Sequence, residues 1–192
     1  MFIYDDNFLS LDQILSVGQA VTKNNNNIIW HASESTAGIN QYLKLKNSNM
    51  TISEDEQYVH TASFNENRIS DIHDFGVDIL NTFAKKHGIQ INKILRIKAN
   101  ILNKTDKQNH IHPPHVDIAI PHMVLLYYVN DSDGDTIIFH QKHSSDQDPV
   151  LTVNRSISPK AGSAIMFDGL TYHSSSSPKN AKERIVLNIN FL

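Results

Sequence analysis

Two periodicities divide the chain. Up to about residue 88 the clearest apolar pattern is helical, and from residue 89 it alternates. Ser10-Leu-Asp-Gln13 sets a hydroxyl and an amide at capping-box spacing, which predicts a helix from Ser10 through about Lys23. A polar tract at 24–27 reads as a loop, and Ile28-Ile29-Trp30 reads as a short strand. Residues 33–60 are polar and carry no clear period. Ser70 or Asp71 opens the clearest helix, with Ile72, Phe75, Ile79, Leu80 and Phe83 on one face. Lys85, Lys86 and His87 suit the negative end of that helix, and Gly88 suits the left-handed residue that terminates it.

Within residues 89–102, Leu95, Ile97 and Ala99 alternate with Arg96, Lys98 and Asn100, the pattern of a half-buried strand. Polar breaks then separate predicted strands at about 116–120, 122–130, 135–141, 150–157, 163–167 and 184–191. Asp131-Ser-Asp-Gly134 and Pro159-Lys-Ala-Gly162 are turns by their chemistry. Short strands with frequent turns predict a sandwich, jelly roll or barrel. No repeat or linker divides the chain. Residues 1–192 therefore read as a single domain, with 1–88 as mostly helical support and 89–192 as the β core.

Composition narrows the functions. A chain of 192 residues with 40% hydrophobic and 19% charged residues can build a core and is not disordered. The longest apolar run, residues 123–129, is far short of the roughly 18 residues that span a bilayer, so no membrane role is expected. Met-Phe-Ile-Tyr-Asp-Asp has no basic segment, so a secretory signal is not expected and the cytoplasm is the expected location. Cysteine is absent, which excludes disulfides, thiolate nucleophiles and thiolate metal sites. The two glycine-rich phosphate loops are absent too. A net charge of −3 with four arginines leaves no basic footprint for nucleic acid. Histidine stands out, with eleven in the chain and five between His110 and His140 inclusive. Without cysteine, histidine and carboxylate are the candidate metal ligands.

His115-Val116-Asp117 opens the β region. In a strand, residues i and i+2 share a face, so His115 and Asp117 can chelate one ion. His173, just beyond the predicted strand 163–167, is the best third ligand. Two histidines and a carboxylate on one face make the facial triad of non-haem Fe(II) oxygenases. The bare pair is a weak signal, because eleven His and fifteen Asp predict about one chance H-x-D match. In the last predicted strand Arg184, Val186, Asn188 and Asn190 share one face, while Ile185, Leu187, Ile189 and Phe191 share the other. An arginine on an inward face needs an anion, and a guanidinium matches a carboxylate by two parallel hydrogen bonds. Tyr128 shares a face with Val124 and Leu126, and its buried hydroxyl needs a partner, which the same bound carboxylate can supply.

The ordered set His115-x-Asp117, Tyr128-Val-Asn-Asp, Gly-Asp-Thr136, Pro159-x-x-Gly162 with Phe167-Asp-Gly169, His173-x-Ser175 and Arg184-x-x-Leu-Asn-x-Asn-Phe191 resembles the 2-oxoglutarate/Fe(II) oxygenases of the prolyl 4-hydroxylase-like group. Arg96-Ile-Lys-Ala-Asn100-Ile-Leu resembles the strand before H-x-D in phage and marine bacterial members. The resemblance covers about residues 94–192. It implies a double-stranded β-helix (jelly roll), in the cytoplasm of a bacterium or a phage-infected host. By position it makes His115, Asp117 and His173 the Fe(II) ligands, and gives the distal carboxylate of 2-oxoglutarate to Arg184 with Tyr128 donating. It implies a dioxygenase that uses O2, turns 2-oxoglutarate into succinate with ascorbate as a supporting reductant, and hydroxylates a peptidyl (prolyl-type) or small polar substrate. Gly134-Asp135 departs from the two glycines frequent in the group, and Asp117 argues against the halogenase branch.

Asn100 and Asn188 are further cofactor-pocket candidates, because strand alternation turns them inward. His112, His122 and His140 are candidates for facing substrate, with His110 and His112 on the rim. Segments 110–114 and 142–148 are expected to flank the open side, with 33–68 as a lid. Two other readings stay open: a cupin-like metalloenzyme without 2-oxoglutarate, and a β-sandwich interaction module whose histidines are incidental.

Overall fold

The alternation from residue 89 onward builds two facing antiparallel sheets, and helices cover the outside of the larger one. The structure is a computed structural model that describes residues 1–35, 43–144 and 149–192. Its elements run β1 (Phe2–Asp5), α1 (Leu11–Ala20), β2 (His31–Ser33), β3 (Thr51–Ile52), β4 (Gln57–Phe64), β5 (Asn67–Arg68), α2 (Ile72–His87), β6 (Ile94–Asn103) and β7 (His110–Ile111). They continue with β8 (Met123–Tyr128), β9 (Thr136–Lys142), β10 (Val153–Ile157), β11 (Ala164–Asp168), β12 (Thr171–Ser175) and β13 (Glu183–Phe191). The larger sheet has the order β1-β11-β8-β13-β6-β4-β2, with β5 paired to β4. The smaller has the order β10-β9-β12. β3 and β7 pair in parallel apart from both.

Alternation decides what each face carries. Ile185, Leu187, Ile189 and Phe191 pack with Ile97, Ile101, Leu125 and Tyr127 under Val17 of α1 and Ile79, Leu80 and Phe83 of α2. Val124, Leu126, Tyr128, Phe167 and Val186 point the other way and meet Ile138 of the smaller sheet. Ser10 caps α1 with the full capping box. Gly88 ends α2 at φ 65°, a conformation that carries no Cβ penalty in glycine. Asp71 precedes α2 but makes no side-chain capping bond.

Several expectations need correction. Residues 1–88 are not chiefly helical, since β1 and β4 are strands of the larger sheet and pair with β11 and β6. β4 lies inside the stretch expected to form a lid. It was hidden because its buried positions include Gln57, His60 and Ser63. These polar groups are tolerated where partners exist: Gln57 donates to the Ser35 carbonyl, and the His60 ring nitrogens contact the Ile29 carbonyl and the Ser70 hydroxyl. The short strand expected at 28–30 lies instead at His31–Ser33. Residues 116–120 form no strand. Pro113, Pro114 and Pro121 bracket that segment, and proline offers no N–H to a ladder. Of the other predicted lid and rim segments, 36–42 and 145–148 lie outside the described residues.

Candidate metal and anion site

His115 and His173 approach through backbone. Each donates its N–H to the other's carbonyl, at 2.9 and 3.0 Å, in an isolated antiparallel bridge. His173 sits in β12, and His115 sits in the irregular segment beyond Pro114. The bridge brings the rings to 4.7 Å between centroids. Asp117 lies beside them, with its Oδ2 3.7 Å from His173 Nε2. One ligand atom from each of His115, Asp117 and His173 lies within 4.8 Å of the others. Same-face strand geometry therefore does not unite His115 with Asp117; the loop does.

Both tautomers are set locally. His115 Nδ1 donates to the Pro113 carbonyl at 3.1 Å, and His173 Nδ1 donates to the Thr171 carbonyl at 3.1 Å. A carbonyl only accepts, so each Nδ1 carries the hydrogen and each Nε2 keeps a lone pair for a ligand. Burial pulls the His115 pKa down to about 4, with His173 beside it adding to the effect, and burial lowers His173 as well. Burial alone would raise Asp117, but His173, Arg96, His115 and the Asn188 amide hold it well below the ordinary carboxylate range. Two neutral imidazoles and one carboxylate are the donors a divalent first-row ion takes.

The Asp117 carboxylate is oriented from the sheet floor. Arg96 Nη2 donates to Oδ1 at 2.7 Å, while Asn188 Nδ2 and Asn190 Nδ2 donate to Oδ2 at 2.9 and 3.1 Å. Arg96 Nε also donates to Asn190 Oδ1. Arg96 and Asn190 were not singled out as site residues, although both fall on the inward side of the predicted alternation.

The same cavity extends along β13 to Arg184. It is lined by His115, Asp117, His173, Lys98, Asn100, Asn188 and Arg184, among others. Arg184 is buried and donates from Nε to the Gly134 carbonyl at 2.9 Å and from Nη2 to Thr136 Oγ1 at 2.7 Å. Those acceptors are neutral, and among the described residues no carboxylate pairs with it. Burial lowers the Arg184 pKa, and only Tyr128 and Asp135 oppose that. Tyr128 donates to Thr136 Oγ1 at 2.9 Å, so its hydroxyl already has a protein partner, contrary to the expectation that a bound carboxylate supplies one. Burial pushes the Tyr128 phenol up to about 12, which keeps it a donor.

The two asparagines separate. Asn100 donates to Gln57 at 3.2 Å toward the Arg184 end, and Asn188 donates to Asp117 at the other end. Each keeps a buried Oδ1 without a partner among the described residues.

The three substrate-facing histidines do not line this cavity. His112 is buried with its two ring nitrogens against Ser175 and Ser177, so it is not on a rim. His110 is buried too. His122 is buried against Gly169 and its Nδ1 donates to the Ile120 carbonyl. His140 is exposed on β9. A second His-His-carboxylate group, Asp55 with His110 and His112, escaped the sequence because Asp55 is remote along the chain. Its carboxylate already pairs with Lys107 and accepts from His110 and Ser177. Those bonds satisfy it without an ion.

The two facing antiparallel sheets have the jelly-roll fold of solved 2OG-Fe(II) oxygenases that superpose on this chain. A Burkholderia pseudomallei oxidoreductase of the 2OG-Fe(II) oxygenase family superposes with a TM-score of 0.62 at 13% identity, covering 99% of this chain and 84% of that one. A Pseudomonas putida prolyl-4-hydroxylase gives 0.56 at 12% identity, covering 99% and 91%. A Trichoplax adhaerens prolyl hydroxylase, solved with a peptide fragment of a hypoxia inducible factor, gives 0.54 at 12% identity, covering 100% and 83%. At these identities the likeness is one of fold. No family model and no curated protein matches the sequence. No helix among the described residues is long and apolar enough to cross a membrane.

Proposed function

We propose that the protein is a 2-oxoglutarate- and Fe(II)-dependent dioxygenase, with His115, Asp117 and His173 as metal ligands and Arg184 as the receptor for the distal carboxylate of 2-oxoglutarate. The observation that carries this reading is the shared cavity. A three-donor group whose histidine Nε2 atoms are left for a ligand lies at one end, and a buried guanidinium with no carboxylate partner among the described residues lies at the other. A bound Fe(II) supplies O2 activation coupled to the oxidation of 2-oxoglutarate to succinate and CO2.

The chain's own residues prepare the site. Thr171 and Pro113 carbonyls hold the two imidazoles in the ligating tautomer. Arg96, Asn188 and Asn190 fix the Asp117 carboxylate beside the two histidines. Gly134 and Thr136 aim the Arg184 guanidinium, and Tyr128 holds Thr136. The cavity lining of amides, hydroxyls and charges favours a hydrogen-bonding substrate, peptidyl or small.

Anaerobic calorimetry of 2-oxoglutarate into Fe(II)-loaded protein, followed by succinate measurement under air, tests the proposal. Arg184→Met should weaken 2-oxoglutarate at least tenfold and leave metal stoichiometry at about one. Metal binding without millimolar 2-oxoglutarate affinity in the wild type would instead point to the cupin-like reading.

A further inference from the structure

Lys98 is a half-buried cation that makes no hydrogen bond or ion pair among the described residues, in a cavity where its neighbours are tied. It projects from β6 between Asn188 of β13 and Thr61 of β4, and it lines the cavity with Asp117 and Arg184. On the same strand face Arg96 is held by Asp117 and Asn190, and Asn100 is held by Gln57. Among the described residues Lys98 makes neither a hydrogen bond nor an ion pair. A long, flexible ammonium that is half withdrawn from water, near the Asp117 carboxylate but not bonded to it, gives up hydration for little visible return.

Charge sharpens the point. The lining carries Lys98 and Arg184 against Asp117, and Arg96 stands behind Asp117. With neutral imidazoles the site therefore holds two more positive than negative charges. On the function proposed above, a divalent ion and the 2-oxoglutarate dianion cancel, so that excess survives cofactor loading. Pairing Arg184 with the distal carboxylate and Arg96 with Asp117 leaves Lys98 and one charge of the divalent ion unmatched. Its register places it level with Asn188, at the metal end. Arg184 lies four residues away along β13, about 13 Å.

We propose that Lys98 receives a carboxylate of the molecule being oxidised, so that the substrate class is carboxylate-bearing: a free amino acid or another organic acid. This rests on the proposed dioxygenase reading for the identity of the other occupants. The competing source of a carboxylate at this end is C1 of 2-oxoglutarate itself, and the experiment separates the two.

Protein loaded with Zn(II) and saturated with 2-oxoglutarate is titrated with butyrate and with butyramide, which share a shape and differ in charge. The Lys98 side-chain NMR resonance and calorimetric affinity are followed in wild type, Lys98→Met and Lys98→Arg. Butyrate is expected to shift the Lys98 resonance in the saturated protein, and butyramide is not. Lys98→Met should weaken butyrate about tenfold or more, Lys98→Arg should retain most of it, and 2-oxoglutarate affinity should stay within about twofold in both. A Lys98 resonance that moves on adding 2-oxoglutarate and no further with butyrate, together with a 2-oxoglutarate affinity lost in Lys98→Met, overturns the proposal and assigns Lys98 to the co-substrate. Absence of any butyrate response also overturns it. If 2-oxoglutarate does not bind the wild type, the dioxygenase reading fails separately, and the butyrate titration with Zn(II) alone still reads Lys98.

Discussion

Gly134 lies where the turn after β8 presses against the chain leading out of β12, and replacing it with alanine should be costly for a reason unrelated to backbone torsion. A Cβ there would lie 2.6 Å from the Ser176 carbonyl oxygen, 3.0 Å from Pro178 N and 3.1 Å from Arg184 Cδ. An ordinary carbon–oxygen contact is about 3.3 Å, so something must move by about 0.7 Å. Ser176 cannot yield freely, because its N–H donates to the Asp135 carbonyl and its hydroxyl accepts from the Asp135 N–H. Overpacking of this kind costs about 1–3 kcal/mol. In a chain of this size that is a fall in Tm of roughly 2–12 °C. The Gly134 carbonyl also aims Arg184, so Gly134→Ala should weaken 2-oxoglutarate about tenfold while metal binding holds. Urea unfolding and calorimetry on the same preparation measure both effects. A stability change below about 0.5 kcal/mol with unaltered 2-oxoglutarate affinity would refute the close-contact argument.

Other variants probe the remaining parts. Asp117→Asn keeps an acceptor for Arg96 but removes the ligating charge, so stoichiometric Co(II) binding, read by visible absorption, should vanish; Asp55→Asn should retain it, and the reverse pattern would move the metal to the second cluster. Asp5 is a stability element: burial works against its ionised form, but Lys86, His87 and the Asn7 N–H outweigh that and lower its pKa. A depressed carboxylate contributes stability above its ordinary pKa of about 3.9 and loses it as pH falls through the folded value. Asp5→Asn should therefore cost about 1–3 kcal/mol near neutrality, with the melting-temperature gap to wild type closing below about pH 4. A gap that stays constant down to pH 2.5 would count against it.

Some parts of this molecule can be read directly from residues and others cannot. Period-two alternation in β6 and β13 identified which side chains face inward, and the pockets are built from Arg184, Asn188, Lys98 and Asn100 on those faces. Order along the chain paired His173 with the H-x-D motif, but the physical link is a backbone bridge that no periodicity encodes. β4 was unreadable because its inward residues are polar and satisfied by groups from distant segments. The Asp55 cluster was unreadable for a related reason: 55 residues separate Asp55 from His110, and only the parallel pairing of β3 with β7 brings their neighbourhoods together. Likewise the partner of Tyr128 is a threonine eight residues on, across a change of sheet, which composition cannot reveal.

One strand holds both ends of the cavity. β13 carries Arg184 at its start and Asn188 and Asn190, which grip Asp117, toward its finish, and it is paired on either side by β6 and β8. It therefore works as a ruler whose graduations are residues. Slipping it by one position would turn the guanidinium into the helix-covered core and expose leucine and isoleucine to the cavity. Lengthening it by two would keep the faces but separate anion end from metal end by about 7 Å more. On the dioxygenase reading proposed above, a co-substrate of different chain length cannot be accommodated by redesigning loops, because the span it must match is fixed by hydrogen bonds on both flanks of a central strand. Lys98 is under the same lock, because β6 is itself hydrogen-bonded on both flanks, by β13 and by β4.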